Sequence, residues 1–150
     1  MNVPISAPYW LAAGERHPQG VREAWSRGAP AMLRTGLFFD AVRLSAEVVH
    51  ARAGGGDRDA VERVFREAGV ECGVIVNPAR RWYYVLVPCG TAASWDESGT
   101  EALGTACFLG VPAPGRGGPP GAHWLLGPPL GAEGLCGPGA VKAVAVAAAG

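Results

Sequence analysis

Asp40 is the residue in this 150-residue chain whose setting most demands a chemical reason. It stands in LRTGLFFDAVRL, residues 33–44, of which residues 37–44 read as a strand. Alternation puts Phe38, Asp40, Val42 and Leu44 on one face and Phe39, Ala41 and Arg43 on the other. A carboxylate among apolar neighbours on a central strand is costly unless it is paired or exposed at an edge. Paired carboxylates are also how metal-dependent nucleotidyl transfer holds two divalent ions beside a triphosphate. That chemistry takes two or three converging acids, and the residue two positions after Asp40 is Val42. Asp57 with Asp59, and Asp96 with Glu97, fall at predicted helix starts, where capping accounts for them.

The cationic candidates are Arg34, Arg80, Arg81 and Arg116, each in or beside a predicted turn. A guanidinium there reaches a phosphate bidentately. Trp82, Tyr83 and Tyr84 follow the central pair, and an exposed aromatic face stacks on a base. The competing reading is that alternate aromatics belong to the core and the arginines keep the surface soluble. Of the 13 basic residues only Lys142 is a lysine, a bias that reflects GC-rich coding, so arginine number alone marks nothing. His123 stands at a strand entrance after a Gly/Pro loop, where it either meets a ligand or makes a structural hydrogen bond. His17 and His50 lie in no ligand-spaced pair.

Several chemistries lack their residues. No Walker sequence surrounds Gly54–Gly56, and no G-x-G-x-x-G follows a strand. No G-x-S-x-G is present. Cys72, Cys89, Cys107 and Cys136 have no C-x-x-C spacing, so a zinc site is unsupported, and no metal site is expected. The start, MNVPISAPYW, has neither the basic nor the apolar region of a secretion signal, and no run reaches a membrane span. The expectation is a cytoplasmic protein with reduced thiols and no membrane partner. Equal acid and base counts exclude a general polyanion binder but leave room for a local basic groove.

These residues need elements to hold them. Hydrophobic residues make up 49% of the chain and charged residues 17%, which is globular, while 23 Gly and 13 Pro leave much of it as turn. The length fits one domain, residues 1–150. Residues 1–16 read as an extended arm. Pro18 opens a helix ended by Gly28. Ser45 caps a helix to about residue 53, and Asp59 with Glu62 forms a capping box for a helix carrying Val61, Val64, Phe65 and Ala68. Residues 73–76 and 82–87 form a hairpin with Arg80 and Arg81 at its tip. Ser94 with Glu97 predicts a helix over residues 95–103. Residues 105–111 and 123–126 are strands of the core sheet, and Pro138 opens a C-terminal helix. The fold class is α/β in the α+β sense, with a mixed, largely antiparallel central sheet and flanking helices.

TGLFFDAVRL (35–44), GVIVNPARRWYYVLVPCGTA (73–92) and FLGVPAPGRGGPPGAHWL (108–125), taken in order, resemble the N-terminal domain of bifunctional DNA primase/polymerases, in its actinobacterial form. The resemblance covers roughly residues 30–130. It implies a primase/polymerase-like fold, a first strand carrying catalytic acids, and a hairpin carrying a basic or histidine residue for the nucleotide. Here the acid pair reduces to Asp40 with Val42, and the hairpin offers Arg80 and Arg81 in place of histidine. One carboxylate holds magnesium poorly. The resemblance with its departures therefore implies a diverged domain that has lost catalysis, with Asp40 a remnant. It keeps a nucleotide or single-stranded DNA surface from Arg34, Arg80, Arg81, Arg116 and His123. It needs no cofactor, magnesium or manganese entering only if activity survives. Two rivals stay open. One is a protein-interaction module using the aromatic hairpin and the Gly/Pro loop. The other is an active nucleotidyltransferase in which Asp96 joins Asp40.

Overall fold

Short apolar runs separated by tight turns pair most easily with their reversed neighbours, and antiparallel sheets result. The computed structural model describes residues 10–12 and 15–149. In chain order the elements are α1 (Pro18–Ser26), β1 (Ala31–Arg34), β2 (Phe39–Ser45), α2 (Ala46–Ala53), α3 (Arg58–Glu67), β3 (Val74–Val76), β4 (Trp82–Pro88), β5 (Glu101–Leu103), β6 (Phe108–Val111), β7 (His123–Leu126) and α4 (Pro138–Ala149). Short 3-10 turns occupy Trp10–Ala12, Thr91–Ser94 and Ala132–Gly134. Five strands form one sheet in the order β5-β2-β4-β3-β7, and β1 pairs with β6 in a separate ribbon. Every pairing is antiparallel. This is the α+β arrangement, with an antiparallel central sheet and flanking helices, that the sequence predicts.

The five-stranded sheet is buried on both faces. On one face Val42, Leu44, Tyr83, Val85 and Val87 pack with Val49 of α2, Val61 and Phe65 of α3, and Val141 and Val144 of α4. On the other, Phe39, Ala41, Ile75, Leu86 and Trp124 pack with Val21 and Trp25 of α1 and with Leu33 and Val111 of the ribbon. Each such Val, Leu, Ile or Phe side chain contributes about 1.5–3 kcal/mol by leaving water. β2 therefore has no wet face at its centre, and anything polar there must find partners inside.

Local signals explain most boundaries. Ser45 accepts from the Val48 amide at 3.5 Å and caps α2, which ends at Gly54 with φ 83°. α3 begins two residues earlier than the Asp59–Glu62 box predicts. Asp57 is its cap, accepting from Ala60, while Glu62 pairs with Arg58 at 2.8 Å and Arg66 at 3.2 Å. Two i,i+4 ion pairs on an exposed face compete with the box for the same carboxylate.

Three expectations need correction. The predicted strand 37–44 begins instead at Phe39, and a strand ahead of it, β1, belongs to the ribbon. Gly36 makes the reversal between them. Its φ is 85°, and a Cβ there would lie 2.6 Å from the Thr105 Cα. Where a helix over 95–103 is predicted, residues 95–100 are a loop that leads from the Thr91–Ser94 3-10 turn into β5, because Gly99 turns the chain (φ 77°) and β2 offers an open edge. Trp95 donates to Thr100, whose hydroxyl donates to the Glu97 carbonyl, and this fixes the loop. The predicted strand 105–111 shortens to β6, which joins the ribbon rather than the core sheet. Most of the expected arm, residues 1–16, lies outside the described residues; Trp10–Ala12 is the 3-10 turn. Among the described residues no helix is long and apolar enough to cross a membrane.

Gly36→Ala forces a side chain into a left-handed backbone and against the Thr105 main chain. Urea denaturation of this variant is expected to show a loss of roughly 2–4 kcal/mol; an unchanged midpoint would count against the reversal as described.

Candidate functional site

Asp40 is 1% exposed on the second position of β2. Its Oδ2 accepts from the Gly90 amide at 3.0 Å and the Ala92 amide at 2.9 Å. Those amides open the 3-10 turn that follows β4, so Asp40 acts as a cap supplied from a neighbouring strand rather than from the turn itself. Gly104 permits the approach: a Cβ there would meet the Ala92 Cβ at 2.7 Å and Asp40 Oδ2 at 3.6 Å. Asp40 Oδ1 is buried and accepts no hydrogen bond among the described residues.

This setting does not fit a divalent ion. A magnesium shell needs several oxygens and access for water and phosphate. Here one carboxylate oxygen is already shared by two amides and the side chain is shut in. Asp96 is exposed on the loop beyond the turn. Among the described residues, no group of three or more His, Cys, Asp or Glu is placed to hold a metal.

The hairpin is a different environment. β3 and β4 pair through Val76 opposite Tyr83, and Asn77 closes the tip. The Asn77 amide donates to the Trp82 carbonyl at 3.1 Å, and its Oδ1 accepts from the Arg81 amide at 3.1 Å. Arg80 sits in the left-handed region with φ 56°, its amide donating to the Asn77 carbonyl. That backbone costs a non-glycine residue about 1–2 kcal/mol, and it turns an arginine outward at the apex. The Ala46 amide donates to the Arg81 carbonyl at 2.9 Å, which docks the tip on the start of α2.

Arg80, Arg81 and Trp82 consequently border a cleft of about 640 Å³ with Ser45, Ala46, Glu47 and His50. Both arginines are exposed. The amino end of α2 adds partial positive charge, while Glu47 opposes it. His50 Nε2 and the Tyr83 hydroxyl share a hydrogen bond of 2.6 Å. Burial pushes the Tyr83 phenol above its ordinary pKa, and the Arg80 cation pulls the other way. Tyr83 is thus a core residue and no stacking platform. Trp82 is half-buried with the Arg43 guanidinium 4.0 Å over its ring, and Arg43 pairs with Glu101 at 3.5 Å.

The other sequence candidates lie apart. Arg34 ends β1, paired with Glu15 at 3.8 Å, and borders an apolar cleft of about 490 Å³ with Met32 and Phe108. Arg116 donates to the Pro120 carbonyl at 2.7 Å, and its Nη1 lies near Gly28 at the end of α1. There it meets the negative end of the helix, an apt place for a cation. It borders a third cleft, with Arg22 and Trp25. His123 is buried, and its Nδ1–H donates to the Gly121 carbonyl at 3.0 Å, so it fastens the end of the Gly/Pro loop. The structure therefore brings Arg80 and Arg81 together and leaves Arg34, Arg116 and His123 in separate places.

Sequence reasoning missed Arg58. Its Nη2 donates to the Trp124 and Leu125 carbonyls, each at 3.1 Å, and its Nη1 to the Gly117 carbonyl. One side chain thereby covers the outer edge of β7 and ties down the loop before it. The available signal was a cation at the first position of a helix, which the helix dipole disfavours unless an outside partner holds it. Glu47 and His50 were also missed as cleft residues, because only the docking of α2 on the hairpin creates the cleft.

Compared with known protein families, with curated proteins and with solved structures, the chain matches none.

Asp40→Ala leaves two turn amides without their acceptor. Thermal or urea unfolding is expected to show a loss of about 2–3 kcal/mol, and Asp40→Asn, which keeps one carbonyl oxygen, a smaller one. Equal stability of all three proteins would refute the capping role.

Proposed function

We propose that this chain is a diverged relative of the primase/polymerase N-terminal domain that binds a nucleotide or single-stranded DNA and carries out no nucleotidyl transfer. The observation that carries the reading is the hairpin cleft, where Arg80 and Arg81 stand side by side with Trp82 at the amino end of α2. Two guanidinium groups meet phosphate oxygens bidentately. The amino end of α2 favours the same charge. The exposed part of Trp82 offers a ring beside them for a base. The loss of transfer rests on Asp40, one of whose carboxylate oxygens is held by the turn amides while the side chain is closed to water. Arg34, Arg116 and His123 stand outside this binding surface.

A protein-binding role has one observation of its own. Met32 and Phe108 are 61% and 55% exposed on the β1–β6 ribbon. Light scattering and pull-down test it: a clean monomer that captures no partner removes that reading.

Fluorescence anisotropy with a labelled oligothymidylate tests the main one. Binding is expected to weaken with salt, and Arg80→Ala with Arg81→Ala to reduce the salt slope by roughly 1.4, two phosphate contacts at about 0.7 each. Glu47→Gln is expected to tighten binding about two- to threefold, since it removes the opposing charge. No binding at low salt, or binding indifferent to all three substitutions, would reject the proposal.

A further inference from the structure

Cys72 lies in the connection from α3 to β3, and Cys136 two residues before α4. They are 64 positions apart in sequence, yet one residue of β4 holds both segments. The Leu86 amide donates to the Gly73 carbonyl at 2.9 Å, and the Leu86 carbonyl accepts from the Cys136 amide at 3.3 Å. The amide and carbonyl of a strand residue point to the same side, so Gly73 and Cys136 meet the same edge of β4 at the same residue. The Cys72 thiol donates to the Gly134 carbonyl at 3.0 Å, already touching the segment that carries the second cysteine. Both cysteines are free.

We propose that Cys72 and Cys136 form an intramolecular redox pair, which a small-molecule disulfide of the glutathione type oxidises to a clip joining the base of α4 to the sheet. Cys72 is the half-exposed member and Cys136 the buried one, which sets the order. The Cys72 thiolate attacks one sulfur of the oxidant, breaks its S–S bond and releases one thiolate. The Cys136 thiol then gives up its proton, attacks the Cys72 sulfur of the mixed disulfide and releases the second thiolate. Two protein thiols lose two electrons, the oxidant gains them, and the two protons pass to the released thiolates. Burial, with a smaller contribution from charge on Cys72, pushes the Cys136 thiol up to about 11. Its thiolate is scarce near neutral pH, so the closing step is slow and accelerates as pH rises. The bond closes a loop of more than sixty residues and fixes the segment that leads into α4, whose Val141 and Val144 fill the core.

The test is oxidation of the whole chain with oxidised glutathione, followed by peptide mapping without reductant. The expected product is a Cys72–Cys136 linked peptide, with exposed Cys89 carrying a separate glutathione adduct. Cys136→Ser is expected to accumulate the mixed disulfide at Cys72. In the unsubstituted chain the linked form is expected to melt about 5–10 °C above the reduced form, and Cys72→Ser to show no such shift. Because the mapping uses the unsubstituted chain, it stands even where a serine variant folds badly. Any other pairing, or full modification of Cys89 with no Cys72–Cys136 link, would overturn the proposal.

Discussion

A carboxylate enclosed in a sheet must find donors, and Asp40 finds them in the backbone of the turn after β4. Much of the molecule is arranged around that contact. β2 sits between β5 and β4, with a hydrophobic core on each face. The turn that Asp40 caps carries the chain from β4 toward β5 on the far side of β2. One side chain thus joins the middle strand to the connection between its two neighbours. Gly104 is small because the turn packs on it. An acid fixed in this way gives direction to the sheet and is withdrawn from solvent chemistry.

The opposite end of the same strand has the opposite character. β2 runs into Ser45, which caps α2, and the hairpin tip docks on that helix through Arg81 and Ala46. Exposed cations, an aromatic ring and a helix terminus gather there because three elements end together. On the proposed reading, binding belongs to this end and structural support to the Asp40 end. The separation matters physically: the buried end tolerates no solvent, and the binding end requires it.

Much of the secondary structure was legible in the sequence. The Ser45 cap marked α2, and the period-3.6 spacing of Val61, Val64, Phe65 and Ala68 marked α3, with its start placed two residues late. β-Branched and aromatic runs around Asn77-Pro78 marked the hairpin with its arginines at the tip. What stayed hidden depended on distant partners. The helix expected after Ser94 is instead a loop ending in the short strand β5, because β2 has an edge to fill, and no local propensity reports an open edge. Asp40 stood out as misplaced, but its donors lie fifty and fifty-two positions away. The four arginines looked alike in sequence, each beside a turn. Packing separates them, setting Arg34 against Glu15 and Arg116 at the end of α1, and leaving Arg80 with Arg81 on a cleft.

The most direct measurement is an amide chemical-shift titration of the labelled protein with a short oligothymidylate in magnesium-containing buffer. The division of labour between the two ends of β2 predicts shifts concentrated at residues 45–50 and 80–82, with the amides of Asp40, Gly90 and Ala92 unmoved. Shifts centred on Asp40 and the turn it caps, with the hairpin tip silent, would contradict it.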